Sequence, residues 1–188
     1  MKELKHLIYF ESLLEDANNE LVRQAQAEGK LAIGYTCFHA PEVLLNLGAC
    51  FSVRLRAPHT NSMELATYYM ANNSCEYARA LLERSLEGNY AFLHGMAGVD
   101  VCEANNRAME NMEIMHVQGG DKDKFFWCNL DVPYSDDEDC VEHTVEQVSR
   151  KILKPMHENY GVDISDAAIR AAVSYTHLRA HETSQDLV

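Results

Sequence analysis

Residues 31–42, with the sequence LAIGYTCFHAPE, are the stretch from which we predict the fold. The apolar run from Leu31 to Gly34 is typical of a short buried strand, and Pro41 suits the first turn of a helix, where its missing N–H group costs nothing. Cys37 is therefore predicted to lie just beyond the carboxyl end of a strand. In an open parallel α/β sheet, this is the edge at which ligands bind.

The rest of the chain continues the alternation of strand and helix patterns that a parallel sheet requires. Apolar residues at helical spacing over residues 4–27 predict an N-terminal amphipathic helix that ends at Gly29. Further strands are predicted at residues 51–56, 95–99 and 125–130, and further helices at residues 41–47, 61–70, 75–88, 102–116, 137–160 and 169–173. The sequence therefore predicts an α/β fold with a mainly parallel four-stranded sheet flanked by helices.

The composition limits the class of protein. At 188 residues, of which 47% are hydrophobic, the chain is long enough to bury one core. The formal charge of −13 repels phosphate backbones and anionic membranes, so we expect no nucleic-acid or membrane partner. No apolar run approaches the roughly 18 residues that span a bilayer, and no signal-peptide core follows the charged start. We therefore expect a cytoplasmic protein.

Residues 1–173 are predicted to form one α/β domain, and the last residues differ in kind. The string SYTHLRAHETSQDLV at residues 174–188 loses the apolar period of the helix before it. It resembles the translated adaptor read-through found at the ends of some metagenomic reading frames. We expect residues 174–188 to be a non-native tail and the natural protein to continue beyond Val173.

Three of the six cysteines are candidate metal ligands, because a chain without an export signal rarely uses thiols for disulfides. Cys37, Cys75 and Cys102 are all predicted at the same sheet edge. Cys75 and Cys102 each open a helix, where unpaired N–H groups and the helix dipole favour the thiolate that metals bind. Three thiolates without a fourth suit an iron–sulfur cluster with one open iron.

Burial is the alternative for each of these three thiols, since free cysteine is among the most buried residue types. The long gaps between them in sequence match no short ligand motif, and only the shared edge favours a metal. The other cysteines have simpler interpretations. Cys50 and Cys128 are predicted to be small core residues, and Cys140 lies in an acidic helix without an evident role.

Four arginines lie near the predicted thiol edge. Arg54 and Arg56 point the same way along a predicted strand, and Arg79 and Arg107 follow the two helix-opening cysteines. Solvation or a surface ion pair is the simpler interpretation of each. In so acidic a chain, arginines beside the site would suit an anionic substrate such as a phosphorylated carrier.

A set of short motifs resembles the N-terminal half of the 2-hydroxyacyl-CoA dehydratase component family, over roughly residues 1–173. That family also includes benzoyl-CoA reductase cluster subunits and double-cubane cluster proteins. The motifs are GYTC at residues 34–37, APEVL at 40–44, SVRL at 52–55, CEYAR at 75–79 and DVC at 100–102, with Arg107 following.

The resemblance implies a lyase subunit that binds an oxygen-sensitive 4Fe-4S cluster. An ATP-hydrolysing activator protein would supply one electron, the acyl-CoA thioester would become a ketyl radical, and the hydroxyl would leave at the open iron to give an enoyl-CoA. Cys37 and Cys75 match the family's first two cluster cysteines, and Cys102 matches a recurrent third. A remaining ligand usually comes from the C-terminal half, so these residues alone are expected to be inactive. A second dehydratase subunit is an implied partner, and no catalytic side chain is assigned.

Two other functions remain open on this evidence. A benzoyl-CoA-reductase-like or double-cubane reductase would share the same motifs. A structural subunit without a cluster, which docks a catalytic partner, would leave the thiols far apart with no cavity between them.

Overall fold

The computed structural model describes residues 2–117 and 121–174. Helices and strands alternate along the chain, and residues 166–174 form a last helix, α8. The elements before it are α1 Lys2–Leu14, α2 Glu20–Ala27, β1 Leu31–Tyr35, a 3₁₀ turn Glu42–Asn46, β2 Cys50–Arg54, α3 Glu64–Thr67, α4 Glu76–Leu86, β3 Gly95–Asp100, α5 Glu103–Ile114, β4 Phe126–Asp131, α6 Glu138–Val148, a π-helical turn Ser149–Leu153 and α7 Lys154–Tyr160.

The four strands form one sheet in the order β2-β1-β3-β4, and every neighbouring pair is parallel. The predicted α/β class and four-stranded sheet are confirmed. Because the chain runs from β1 outward to β2 on one side and later returns to β3 on the other, a crevice opens where the carboxyl ends of β1 and β3 diverge. This crevice is the place where such folds bind ligands.

Helices cover both faces of the sheet, which explains why the central strands are apolar at nearly every position. The core on one face is filled from α4 and α5, with Leu81, Leu82 and Met112 fully buried. The core on the other face is filled from the 3₁₀ turn and the α6–α7 helix, with Leu45 and Ile152 fully buried. The sheet is thus a rigid platform for its carboxyl edge.

The predicted N-terminal helix is present, but it is two helices rather than one. The chain breaks between α1 and α2, where the side chain of Asp16 accepts a hydrogen bond from the Asn18 N–H at 3.0 Å. Asn19 then caps α2 by accepting from the Val22 N–H at 3.2 Å. Asp and Asn side chains compete with the backbone in this way, and this local chemistry outweighs the helical period that runs through the break.

Two other predicted helices are much shorter than expected. The helix predicted at residues 41–47 is a single 3₁₀ turn, which ends before Gly48 with its positive φ of 58°. The helix predicted at residues 61–70 shrinks to the four residues of α3. Both segments belong to the crossovers beside β2, and their apolar side chains, such as Leu45, Leu47 and Ala66, are buried without a longer helix.

Side chains occupy the outer edges of both outermost strands. On β4, the Gln147 side chain accepts from the Asp131 N–H and donates to the Asp131 carbonyl, each at 3.1 Å, and Lys151 donates to the Asn129 carbonyl at 2.7 Å. On β2, the Asn46 side chain accepts from the Ser52 N–H at 2.9 Å. These groups take the places that a further strand would use.

His94 joins the amino-terminal ends of β1 and β3. Its backbone N–H donates to the Ala32 carbonyl at 2.8 Å, its Nδ1 lies 3.2 Å from the Ala32 N–H, and the Tyr160 hydroxyl donates to the His94 carbonyl at 2.6 Å. Burial lowers the pKa of His94 below its ordinary value of 6.5. The ring is therefore neutral at neutral pH, with Nδ1 accepting the hydrogen bond.

This shift makes stability depend on pH. As the pH falls below 6.5, the unfolded chain takes up a proton that folded His94 resists, so the free energy of unfolding falls. We expect His94→Gln to flatten this fall between pH 7 and 5, as measured by urea unfolding at each pH. His143→Gln is the control, since that ring is exposed, and parallel profiles for the wild type and His94→Gln would contradict the prediction.

Candidate metal and ligand site

Cys37 follows β1 by two residues, at the carboxyl edge of the sheet. Its carbonyl accepts from the Ala40 N–H at 3.0 Å, which closes a tight turn. The side chain is half-buried and packs against the core on the Ile33 face. The structure therefore places this thiol where the sequence predicts it, at the end of a central strand.

Cys75 and Cys102 occupy equivalent positions, as the N-cap residues of α4 and α5. Neither side chain accepts a hydrogen bond from its helix, and both residues are exposed. Each thiol is thus presented at the start of a helix, as predicted. Their helices follow different strands of the sheet, so the cap geometry alone does not bring the two sulfur atoms together.

Tyr77 connects the chain segments that carry two of the three thiols. It lies in the first turn of α4, two residues after Cys75, and its hydroxyl donates to the Leu55 carbonyl just beyond β2 at 3.0 Å. The Leu55 N–H in turn donates to the Tyr35 carbonyl, two residues before Cys37, at 2.8 Å. These two bonds join the start of α4 to the end of β1, and burial raises the pKa of the Tyr77 hydroxyl.

Cys102 lies at the same edge but outside that pair. Asn105, in the first turn of α5, donates to the Thr36 hydroxyl at 3.2 Å, and both residues are buried. This bond ties the helix that Cys102 caps to the residue before Cys37. Within residues 2–117 and 121–174, however, no three His, Cys, Asp or Glu side chains are grouped closely enough to hold a metal ion.

The three thiols can be compared with the ligands that an iron–sulfur cluster requires. Cys37 and Cys75 are free thiols that are accessible at least in part, and thiolates are the ligands that such clusters require. The residue type therefore fits. The number of donors is incomplete among the described residues, because Cys102 does not join the pair in a group of three.

The four predicted arginines have three different settings. Arg54 and Arg56 lie at and just beyond the end of β2, and their charges act on the hydroxyls of both Tyr35 and Tyr77. They are therefore the two arginines beside the thiol pair.

Arg79 and Arg107 are already engaged elsewhere. The Arg79 guanidinium donates to the Asn72 carbonyl at 3.1 Å and to the Thr67 hydroxyl at 3.0 Å, so it holds the loop that leads to Cys75. Arg107 forms ion pairs on the exposed face of α5, with carboxylate oxygens of Glu110 at 2.8 Å and of Glu103 at 3.6 Å. The first has a structural role and the second is a surface network.

Cys50 and Cys128 are buried, which confirms their interpretation as core residues. Burial raises the pKa of the Cys50 thiol to about 11 and that of the Cys128 thiol to about 12. Both are neutral thiols at physiological pH. Cys140 lies on α6, where hydrogen bonding to the Asp137 carboxylate raises the pKa of its thiol.

Sequence reasoning did not identify Tyr35 and Tyr77, which lie beside the candidate site. Tyr77 and Tyr35 carry no motif that distinguishes them from core tyrosines, although the CEY order places Tyr77 two residues after Cys75. An open cavity of about 450 Å³ lies beside Tyr77, a size that suits a small ligand. It is lined by Ala57, His59, Thr60, Asn61, Met63, Glu76, Tyr77 and Ala80.

The structure bears only in part on two other predictions, the absence of a membrane-spanning segment and the non-native tail. No helix among the described residues is long and apolar enough to cross a membrane. The predicted non-native tail lies outside the described residues, apart from residue 174, which continues α8.

Comparisons with known proteins agree with the motifs. The chain is 25% identical over 105 residues to the (R)-phenyllactyl-CoA dehydratase beta subunit of Clostridium sporogenes, a match that covers 56% of this chain and 28% of that protein. The chain thus spans well under a third of the length of this relative. The family model for the D-component of 2-hydroxyglutaryl-CoA dehydratase matches residues 37–180. The predicted resemblance is confirmed, and the chain belongs to the 2-hydroxyglutaryl-CoA dehydratase D-component family.

Proposed function

We propose that this chain is the cluster-bearing part of a 2-hydroxyacyl-CoA dehydratase component, with Cys37 and Cys75 as iron ligands. The observation that supports the proposal is the position of the two thiols: Cys37 lies two residues beyond β1, and Cys75 caps α4, whose Tyr77 hydroxyl donates to the Leu55 carbonyl just beyond β2 at 3.0 Å. Family membership supports the reaction class, the removal of water from a 2-hydroxyacyl-CoA.

A 4Fe-4S cluster bound here would supply one-electron chemistry and an open iron for the substrate hydroxyl. The chain's own residues hold the thiols in place. The Cys37 turn is fixed on β1, and the Asn105 bond to Thr36 secures the residue before it. Arg79 fixes the loop before Cys75 through its bonds to Thr67 and Asn72.

Cys102 is the proposed third ligand of this site. It caps α5 at the same edge, and the bond between Asn105 and Thr36 keeps that helix end beside the Cys37 turn. Its sulfur would have to move to join the pair, because the three thiols do not form one group within the described residues. We further propose that an ATP-dependent activator and a second dehydratase subunit act with this chain, which is inactive alone.

A structural subunit without a cluster is the second candidate function. The observation that favours it is the lack, within the described residues, of any group of three potential metal ligands. Such a protein would use its thiol edge only as a surface for a catalytic partner. Iron content separates the two functions.

Anaerobic reconstitution of the full-length protein with iron and sulfide is expected to give about four iron atoms per chain. Cys37→Ala and Cys75→Ala are each expected to lose most of this iron and the associated visible absorption, because the cluster loses one of its protein ligands. Cys140→Ala is the matched control, since its thiol lies on α6 away from the site, and it should retain the iron. Unchanged iron in both site variants, or none in the wild type, would reject the proposal in favour of the structural subunit.

A further inference from the structure

Arg54 and Arg56 are cations without acidic partners in a strongly acidic chain. The sequence carries 29 Asp and Glu residues against 16 Lys and Arg. Among the described residues, neither arginine forms an ion pair with a carboxylate, a property they share with Arg23, Arg79, Arg150 and Arg170. Ion pairs engage Lys30, Arg84, Arg107, Lys124 and Lys154. What distinguishes Arg54 and Arg56 is their place beside the thiol edge.

Their hydrogen bonds are also incomplete. Arg54 is exposed and donates no hydrogen bond within the described part of the chain. Arg56 is half-buried, its Nη2 reaches only the Leu13 carbonyl at 3.5 Å, and its Nε is buried without a partner. Guanidinium groups form two parallel hydrogen bonds with carboxylates and phosphates when such an anion is present. Both side chains therefore have unused donors.

The position of the two arginines links them to the thiols. Arg54 ends β2 directly opposite Tyr35 at the end of β1, and the Leu55 N–H donates to the Tyr35 carbonyl at 2.8 Å. Cys37 follows Tyr35 by two residues. Leu55, between the two arginines, accepts from the Tyr77 hydroxyl at 3.0 Å, and Tyr77 follows Cys75 by two residues.

The acid beside Tyr35 is engaged elsewhere. The Glu42 carboxylate accepts from the Ser52 hydroxyl at 2.9 Å and is hydrogen-bonded to Tyr35. Neither Glu42 nor Glu76, which follows Cys75, forms an ion pair with Arg54 or Arg56 within the described residues.

We propose that Arg54 and Arg56 form an oxyanion-binding subsite beside Cys37 and Cys75, which takes a carboxylate or phosphate group of the ligand. Its assignment to the substrate of a dehydratase component rests on the proposed function. Arg79 and Arg107 differ from this pair because their Nη groups already bond to protein acceptors, those of Arg79 to Asn72 and Thr67 and those of Arg107 to Glu103 and Glu110. Either a terminal carboxylate of an acyl group or a phosphate of a carrier has the required chemistry.

The test compares alkylation of each thiol by iodoacetate, an anion, and by iodoacetamide, its neutral analogue. The ratio of the two rates at one thiol cancels that thiol's intrinsic reactivity and accessibility. We expect a higher ratio at Cys37 and Cys75 than at Cys102 and Cys140, measured by mass spectrometry on the iron-free protein. Arg54→Gln and Arg56→Gln should each lower the ratio at the site thiols about fivefold, the factor for two unit charges about 4 Å apart in water.

Arg107→Gln is the matched control, because it removes an arginine charge from α5 without touching the subsite, and it should leave the ratios unchanged. Equal iodoacetate-to-iodoacetamide rate ratios at all four thiols would overturn the proposal. Ratios at Cys37 and Cys75 that stay unchanged in both Arg54→Gln and Arg56→Gln would also overturn it. Thermal unfolding of each variant confirms that it is folded. Because no iron is present, this result is independent of the iron-content test.

Competition identifies which oxyanion is bound. Glutarate and inorganic phosphate are added at matched ionic strength during iodoacetate labelling. Protection by glutarate alone assigns the subsite to a carboxylate, and protection by phosphate alone assigns it to a phosphate group. If neither anion slows iodoacetate labelling of Cys37 and Cys75, at concentrations up to the highest salt at which the protein stays folded, the proposed oxyanion site is contradicted.

Discussion

Gly95→Ala is expected to lower the free energy of unfolding by about 3 kcal/mol, at the upper end of the range for overpacking a core. Gly95 on β3 lies opposite Phe126 on β4, and the aromatic ring covers the glycine. A Cβ atom at Gly95 would lie 2.3 to 2.7 Å from three atoms of that ring. The ring is buried and cannot swing away without leaving the core. The strands must therefore separate or the ring must change rotamer.

Urea unfolding followed by circular dichroism measures this loss. Gly34→Ala is the graded comparison, since its Cβ would meet only the flexible ends of Leu93 and Met96 at 2.7 and 2.8 Å and should cost less. The double variant Gly95→Ala/Phe126→Leu should recover part of the loss, because the smaller side chain makes room. Equal losses in the two single glycine variants, with no recovery in the double one, would contradict this explanation.

Glu83→Ala is expected to destabilise the protein by about 3 kcal/mol, because it leaves one buried and one partly buried N–H group without its partner. Glu83 on α4 is 3% exposed, and its carboxylate accepts from the Leu65 N–H at 3.3 Å and from the Ala66 N–H at 2.6 Å. These are donors at the free start of α3, which has no capping side chain of its own. One side chain of α4 therefore replaces the missing cap of a neighbouring helix.

Hydrogen exchange provides a local measurement for this prediction. The amides of Leu65 and Ala66 should exchange much faster in Glu83→Ala, whereas β3 amides should change only with the global stability. Glu83→Gln keeps one acceptor oxygen, so its exchange rates at Leu65 and Ala66 should lie between those of the wild type and those of Glu83→Ala. An equal loss in Glu83→Gln and Glu83→Ala, without faster exchange at α3, would show that the carboxylate does not cap the helix.

The sheet was predictable because its signals are local. Each strand is a short apolar run, and strands that alternate with helices favour a parallel sheet, for which the connection rules leave only a handful of strand orders. The cysteine positions follow from the same logic, since residue 37 must lie past β1 once β1 is identified. Helix lengths were less predictable, because the break before α2 depends on side-chain hydrogen bonds of Asp16 and Asn19 that periodicity does not report.

The organisation of the site depends on contacts between distant residues, which spacing does not reveal. Arg54, Arg56, Arg79 and Arg107 are equivalent in sequence, and only the fold shows that the last two are engaged by Asn72 and by Glu110. In the same way, the bond from Tyr77 to Leu55 joins residues 22 positions apart. The strands that form this edge can therefore be predicted from local sequence, but the side chains that meet there can be identified only from the tertiary structure.

The occupied margins of the sheet restrict how this protein can be enlarged. Asn46 is bonded to the Ser52 N–H of β2, and Gln147 is bonded to both backbone groups of Asp131 on β4, so part of each margin is covered. An added strand, as in the first step of amyloid growth, would have to displace these side chains. Intermolecular β-pairing is therefore less favourable here than on an uncovered edge, while the thiol edge stays accessible.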